Sequence, residues 1–162
     1  MNHFRWAALC LILPAMAGAQ SSSVAAPGDA GLADVRRAIE AFYNSFNEGF
    51  TGPADFAAED WNHISPGGAR TQGRDATLKS VRQVHQSFLK GVTQHIESMD
   101  VRLAAGNVAV GTVVSLVSPY TSPNGVKHDT QREIRTFVLV KRGERWLIVQ
   151  DQTTTIARVT RP

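Results

Sequence analysis

The chain has 162 residues and a formal net charge of +3, from 17 Lys and Arg against 14 Asp and Glu. Its single cysteine, Cys10, excludes an internal disulfide framework and a thiolate metal centre. The basic residues are scattered, without a dense run or interleaved aromatic residues, which argues against a nucleic-acid surface.

Met1 to Arg5 gives a short positive start, Trp6 to Ala17 is almost wholly apolar, and Ala17-Gly18-Ala19 fits a small-residue cleavage site. Residues 1–19 therefore read as a secretory signal peptide, too short to span a bilayer comfortably. Leu9 precedes Cys10 and Ala7 stands three before it, which is not a lipidation pattern. The expectation is a secreted or periplasmic protein with no membrane contact after cleavage. Residues 20–31, rich in Ser, Ala, Gly and Pro, read as a flexible linker. One domain over 32–160 follows.

Leu32, Val35, Ile39, Phe42, Phe46 and Phe50 repeat at steps of three and four, the stripe of a helix of about five turns. Gly49 and Gly52-Pro53 stop it, and Pro53 to Glu59 predicts a short second helix with Pro in its first turn. Trp61 to Ser65 and Ala69 to Gln72 read as short strands around the Pro66-Gly67-Gly68 turn. A third helix opens at Arg74, with Leu78, Val81, His85 and Phe88 on one face, and closes at Gly91. Four long strands follow. Met99 to Leu103 alternates, Val108 to Val117 is rich in Val and Thr, and Ile134 to Lys141 and Trp146 to Ile156 complete an antiparallel meander with turns at Gly106-Asn107, Ser122 to Gly125 and Arg142 to Glu144. Three helices on one side of a curved sheet make an α+β domain. There is no phosphate loop or βαβ alternation, so no cofactor is implied.

Three phrases carry a resemblance: Phe42-Tyr43-Asn44-Ser45-Phe46-Asn47-Glu48-Gly49; Phe56-Ala57-Ala58-Glu59-Asp60-Trp61 with Gly73-Arg74-Asp75-Ala76; and Thr136 to Lys141 running on to Trp146-Leu147-Ile148, with Gln152 and Thr154 beyond. With the element order, they make the chain similar to the NTF2-like superfamily, in its SnoaL-like, DUF4440-type (SgcJ/EcaC-like) branch. The resemblance implies a cone: a curled sheet around a small-molecule pocket, closed by helices, with homodimers packed through the sheet. Members include isomerases, cyclases, dehydratases and binding proteins without chemistry. The ketosteroid isomerase pattern is absent. Phe42 stands where that enzyme's helix Tyr would be, the strand from Trp61 to Pro66 has no carboxylate, and Arg135 stands near the later acid position.

His63 and His85 are the candidate catalytic residues. Trp61, His63 and Ser65 share one face of a strand, and His85 sits in an apolar stripe; imidazole suits proton transfer near neutral pH. Either could instead be a satisfied structural histidine. Tyr43 and Trp61 are candidate pocket aromatics, or core. Arg135 is a candidate ligand contact. Gln150 and Gln152 alternate after Trp146 and Ile148 and are candidate ligand-orienting groups, with Asp151 on the opposite face. His63, His85, His95 and His128 show no metal-ligand spacing. Two readings stand: a cone performing proton transfer on a carbonyl compound (isomerisation, cyclisation or dehydration), or a non-catalytic binding or dimeric association module.

Overall fold

The computed structural model describes residues 27–157; the expected signal peptide lies outside them. Helix α1 (Pro27–Asn47) comes first, then strands β1 (Ala57–Ile64) and β2 (Arg70–Gln72), helix α2 (Arg74–His85), and strands β3 (Gln94–Ala105), β4 (Val108–Val117), β5 (Tyr120–Thr121), β6 (Lys127–His128), β7 (Gln131–Arg142) and β8 (Arg145–Thr155). Six strands form one sheet in the order β2-β1-β8-β7-β4-β3, and β5 and β6 form a separate small hairpin.

The expected stripe is the buried face of α1: Val35, Ile39, Phe42 and Phe46 are buried, with Tyr43 beside them. The helix starts at Pro27, so it reaches into the stretch expected as a linker. Gly49 ends it at φ 67°, and Phe50 follows at φ 57°, a left-handed conformation uncommon for a bulky residue. Phe50 is held there by burial against Phe42 and Phe46, with ring centroids 5.6 and 6.0 Å away. The helix lies close on the sheet at Gly111 of β4, where an added Cβ would stand 2.4 Å from Ile39 Cδ1.

Two expectations are corrected. Pro53 to Glu59 is not a helix. Residues 57–59 already belong to β1, so the described residues hold two helices. Ala57, Ala58 and Glu59 are good helix formers, but the backbone pairs Ala57 with Ile148 of β8, and Ile148 N–H donates to the Phe56 carbonyl at 2.8 Å. Sheet pairing overrides local propensity. Nor is the sheet a purely antiparallel four-strand meander. β1 runs parallel to β8 while the other four neighbouring pairs of the sheet are antiparallel, which makes a six-stranded mixed sheet. The third expected helix, here α2, ends at His85, and residues 86–91 are turns. Among the described residues no helix is long and apolar enough to cross a membrane.

The core lies between the helices and the concave face of the sheet. Phe42 is its centre, in edge contact with Tyr43, Phe50, Phe56, Trp61 and Phe137 at centroid distances of 5.3 to 6.2 Å. Edge-to-face pairing of this kind adds to the stabilisation from burial.

Candidate functional site

A cavity of about 380 Å³ opens beside that core, near the lower end of the roughly 300–1,000 Å³ typical of small-molecule pockets. Phe42, Phe46, Phe50, Val84, Phe88 and Leu89 supply its apolar lining; His63, His85, Gln94, Tyr120, Glu133 and Arg135 supply its polar groups. The cone thus brings His63, His85 and Arg135 together.

The floor is built on Asp151. Its side chain is fully buried and takes three donors. Trp61 Nε1–H donates to Oδ1 at 2.7 Å, Arg135 Nη1 donates to Oδ2 at 2.7 Å, and His63 Nδ1 lies 3.1 and 3.0 Å from the two oxygens. Burial pushes the Asp151 pKa up, but the His63 hydrogen bond and the Arg135 charge, with the Trp61 bond, outweigh it and hold the carboxyl below its ordinary 3.8. An ionised carboxylate only accepts, so the proton of His63 sits on Nδ1, and Nε2 is left for whatever enters the cavity. The Arg135 guanidinium also stacks over Phe42, 4.6 Å from the ring centroid, which fixes the cation between carboxylate and aromatic face.

The wall carries the second set. His85 Nδ1 lies 2.8 Å from the Val81 carbonyl, one helical turn back, and so donates to it. Its Nε2 is a buried acceptor without a partner among the described residues. Desolvation lowers the His85 pKa despite the Val81 bond, so the ring is neutral near pH 7. It packs edge-on against Phe46 and Phe50 at 4.5 and 5.3 Å. Across the cavity, Gln94 Nε2 donates to Glu133 Oε2 at 3.2 Å. Gln94 is held in turn by Asn47. Its N–H donates to Asn47 Oδ1 at 2.7 Å, and Asn47 Nδ2 donates to the Gln94 carbonyl at 3.1 Å. Burial raises the Glu133 pKa above its ordinary 4.5, partly opposed by Arg135 and the Gln94 bond. Gln94 Oε1 is a second buried acceptor without a partner among the described residues. Each such group costs about 1–3 kcal/mol until it meets a donor. Tyr120 and Phe88 meet at the half-buried rim, 6.3 Å apart, and His128 stacks on Tyr120 at 4.6 Å.

Four expected ligand contacts stand elsewhere. Tyr43 is 2% exposed and Trp61 fully buried; Tyr43 packs in the aromatic core, and Trp61 serves as a donor to Asp151. Gln150 and Gln152 are on the outer face. Gln152 is exposed, and Gln150 hydrogen-bonds the Asn62 side chain. The reason is a β-bulge: Ile148 pairs with Leu139 and Gln150 with Val138, so Val149 has no partner and the alternation reverses. Trp146 and Ile148 face in, and beyond the bulge Asp151 and Thr153 do. Asp151 is therefore part of the site, not opposite to it. Sequence reasoning missed Glu133 altogether. The available signal was its period-two alternation with Arg135, Phe137 and Leu139, all four buried on one face of β7.

A family model for the SnoaL-like domain matches residues 35–157. The chain belongs to the SnoaL-like family. The match does not reach down to the DUF4440-type branch. No curated protein matches the sequence. Among solved structures, an uncharacterised cystatin-like-fold protein from Caulobacter vibrioides superposes with TM-score 0.73 at 19% identity, covering 79% of this chain and 91% of that one. A candidate scytalone dehydratase from Novosphingobium aromaticivorans gives 0.64 at 14% identity, covering 79% and 85%. The association domain of C. elegans CaMKII gives 0.58 at 17%, covering 79% and 98%. At these identities the likeness to this SnoaL-like chain is one of fold alone, the NTF2-like α+β cone.

Proposed function

We propose that this SnoaL-like protein binds a small molecule in its cavity and performs proton transfer on a carbonyl compound, with His63 as general base. The observation that carries this reading is the hydrogen bond of His63 Nδ1 to the buried Asp151 carboxylate, in a ring that lines the cavity. The carboxylate orients the imidazole, fixes its tautomer and stabilises the imidazolium formed when Nε2 takes a proton; a positioned base of this kind contributes about 10²–10⁴-fold. Arg135 acts through Asp151 as a positioning residue. The test is exchange of the protons beside the carbonyl of a cyclic ketone such as 1-tetralone, followed by NMR in D₂O. The wild type is expected to speed exchange and His63→Ala to lose about 10²-fold or more. Equal exchange by the two proteins sinks the assignment.

The same reading includes export and pairing. Residues 1–19 support removal of a signal peptide, tested by mass spectrometry of the mature N-terminus at Gln20. The outer face of the sheet supports a homodimer. On the face away from the core, Val110 pairs with Val138 and Val114 with Ile134, with the Thr112–Thr136 pair between them, a patch of apolar and threonine side chains in which Ile134 is 36% exposed. Light scattering should give twice the chain mass, and Val114→Lys should give the monomer. This patch also favours the second reading, an association module, in which ligand binding would occur without exchange.

A further inference from the structure

Resting on the small-molecule cavity proposed above, we infer that its ligand class is the primary aralkylammonium, an aromatic ring on a short chain that ends in –NH₃⁺, held where Glu133, Gln94 and His85 stand.

These three side chains line the cavity and are 6, 6 and 8% exposed. What each still has to offer is an acceptor. His85 Nδ1 donates to the Val81 carbonyl, so Nε2 is a buried lone pair without a partner among the described residues. Gln94 Nε2 donates to Glu133, so Gln94 Oε1 is the second such acceptor. Glu133 accepts with one oxygen; the other has no hydrogen bond to the described residues and is the third. Buried polar groups find partners, and the partner here has to bring donors. A hydroxyl brings one, along with lone pairs of its own, and a carboxylate brings none. A primary ammonium brings three N–H donors and no acceptor, which matches the count.

The charges agree. α1 ends at Asn47 and α2 at His85. The His85 ring packs edge-on against Phe46, 4.5 Å away, and Gln94 is bonded through its main chain to Asn47. Two helix C-termini therefore close this end of the cavity, and such ends carry a partial negative charge that favours a cation. Ionised Glu133 adds a full one. Burial raises its pKa, and an ammonium beside it acts in the opposite direction, as Arg135 and the Gln94 bond already do. The two neighbouring arginines are engaged elsewhere, Arg135 with Asp151 and Arg82 with the Phe50 and Gly52 carbonyls. Phe46, Phe50 and Phe88 supply aromatic walls, which attract a cation as well as a ring. A cavity of about 380 Å³ suits one or two rings. In a substrate of the His63 base, the amine then lies on the wall and the carbonyl on the floor.

Four probes share one ring: 2-phenylethylamine, 2-phenylethanol, phenylacetate and N,N,N-trimethyl-2-phenylethylammonium. They are titrated calorimetrically into the protein near pH 7, with 1-tetralone exchange run beside them. A hydrogen bond to a charged group is worth about tenfold or more in affinity. Wild type is therefore expected to bind the amine at least about tenfold tighter than the alcohol or the trimethylated cation, and not to bind phenylacetate. Glu133→Gln should bring the amine down to the level of the alcohol, and His85→Phe should weaken the amine about tenfold, with thermal unfolding as the control for folding. An alcohol or phenylacetate bound as tightly as the amine overturns the ammonium. So does a trimethylated cation bound as tightly, since it has no N–H to give, or an amine preference that survives in a folded Glu133→Gln. Ketone exchange without an amine preference overturns this inference and leaves the base standing; an amine preference without exchange does the reverse. No binding of any probe overturns the small-molecule cavity, and the ammonium with it.

Discussion

The floor and the wall of the cavity each hold a buried carboxyl and a histidine, yet they are finished to different degrees. On the floor Asp151 takes donors from Trp61, Arg135 and His63, and its charge is held despite complete burial. On the wall Glu133 has one donor, and His85 and Gln94 each leave an acceptor unmet. The carboxyl pKa values move in opposite directions for that reason, Asp151 down and Glu133 up. Divergent carboxyl environments in one site are a mark of divided acid and base roles. The floor is a rigid support, and the wall is where an incoming molecule completes the polar set.

The largest effect should come from breaking the floor. Asp151→Asn leaves Arg135 buried without its ion-pair partner, and breaking a buried pair in this way costs about 3–5 kcal/mol. Urea unfolding measures it. The double change Asp151→Asn with Arg135→Met should be less damaging than Asp151→Asn alone, since it removes the stranded charge; a double variant that is less stable than the single would mean that Arg135 matters for its stacking on Phe42 instead.

The next contrast is between the histidines. His63→Ala should lose ketone exchange by about 10²-fold or more, whereas His85→Ala should lose less than about tenfold, because the proton on His85 is committed to Val81 and its pKa is lowered. Comparable losses in the two variants would erase the distinction between floor and wall.

The carboxyls also predict opposite pH slopes of stability. For Asp151 the folded pKa lies below 3.8, so its contribution is complete above that pH and fades as pH falls through the folded value. For Glu133 the folded pKa lies above 4.5, so its contribution is present below 4.5 and is lost as pH rises through the folded value, at up to about 1.4 kcal/mol per pH unit. Glu133→Gln should therefore gain stability relative to wild type as pH rises from 4.5, in chemical unfolding at a series of pH values. A difference that is flat with pH would place Glu133 in a more solvated setting.

Much of the fold could be read from periodicity. The α1 stripe, the β1–β2 turn, the start of α2 and the last three long strands follow from residue spacing alone. What could not be read depends on partners distant in sequence. The strand opens at Ala57 because Ile148 of β8, some ninety residues on, pairs with it. His63 and Arg135 were legible as polar residues on strands near the core. Their meeting at Asp151 was not, because one unpaired residue, Val149, reverses the two faces of β8.

That reversal makes the smallest prediction the sharpest test of the site's geometry. Without a bulge, Gln150 and Gln152 would follow Trp146 and Ile148 into the cavity, and Asp151 would point away. With it, Gln152 is exposed and Asp151 fully buried. Gln152→Ala should then change stability by no more than about 0.5 kcal/mol and leave the binding of 1-tetralone at its wild-type level, beside an Asp151→Asn that cripples both. The two residues are adjacent in sequence, so a general sensitivity of β8 would move them together, and only opposite faces can separate them by several kcal/mol. A Gln152→Ala variant that weakened ligand binding tenfold would restore the uninterrupted alternation and remove Asp151 from beneath His63.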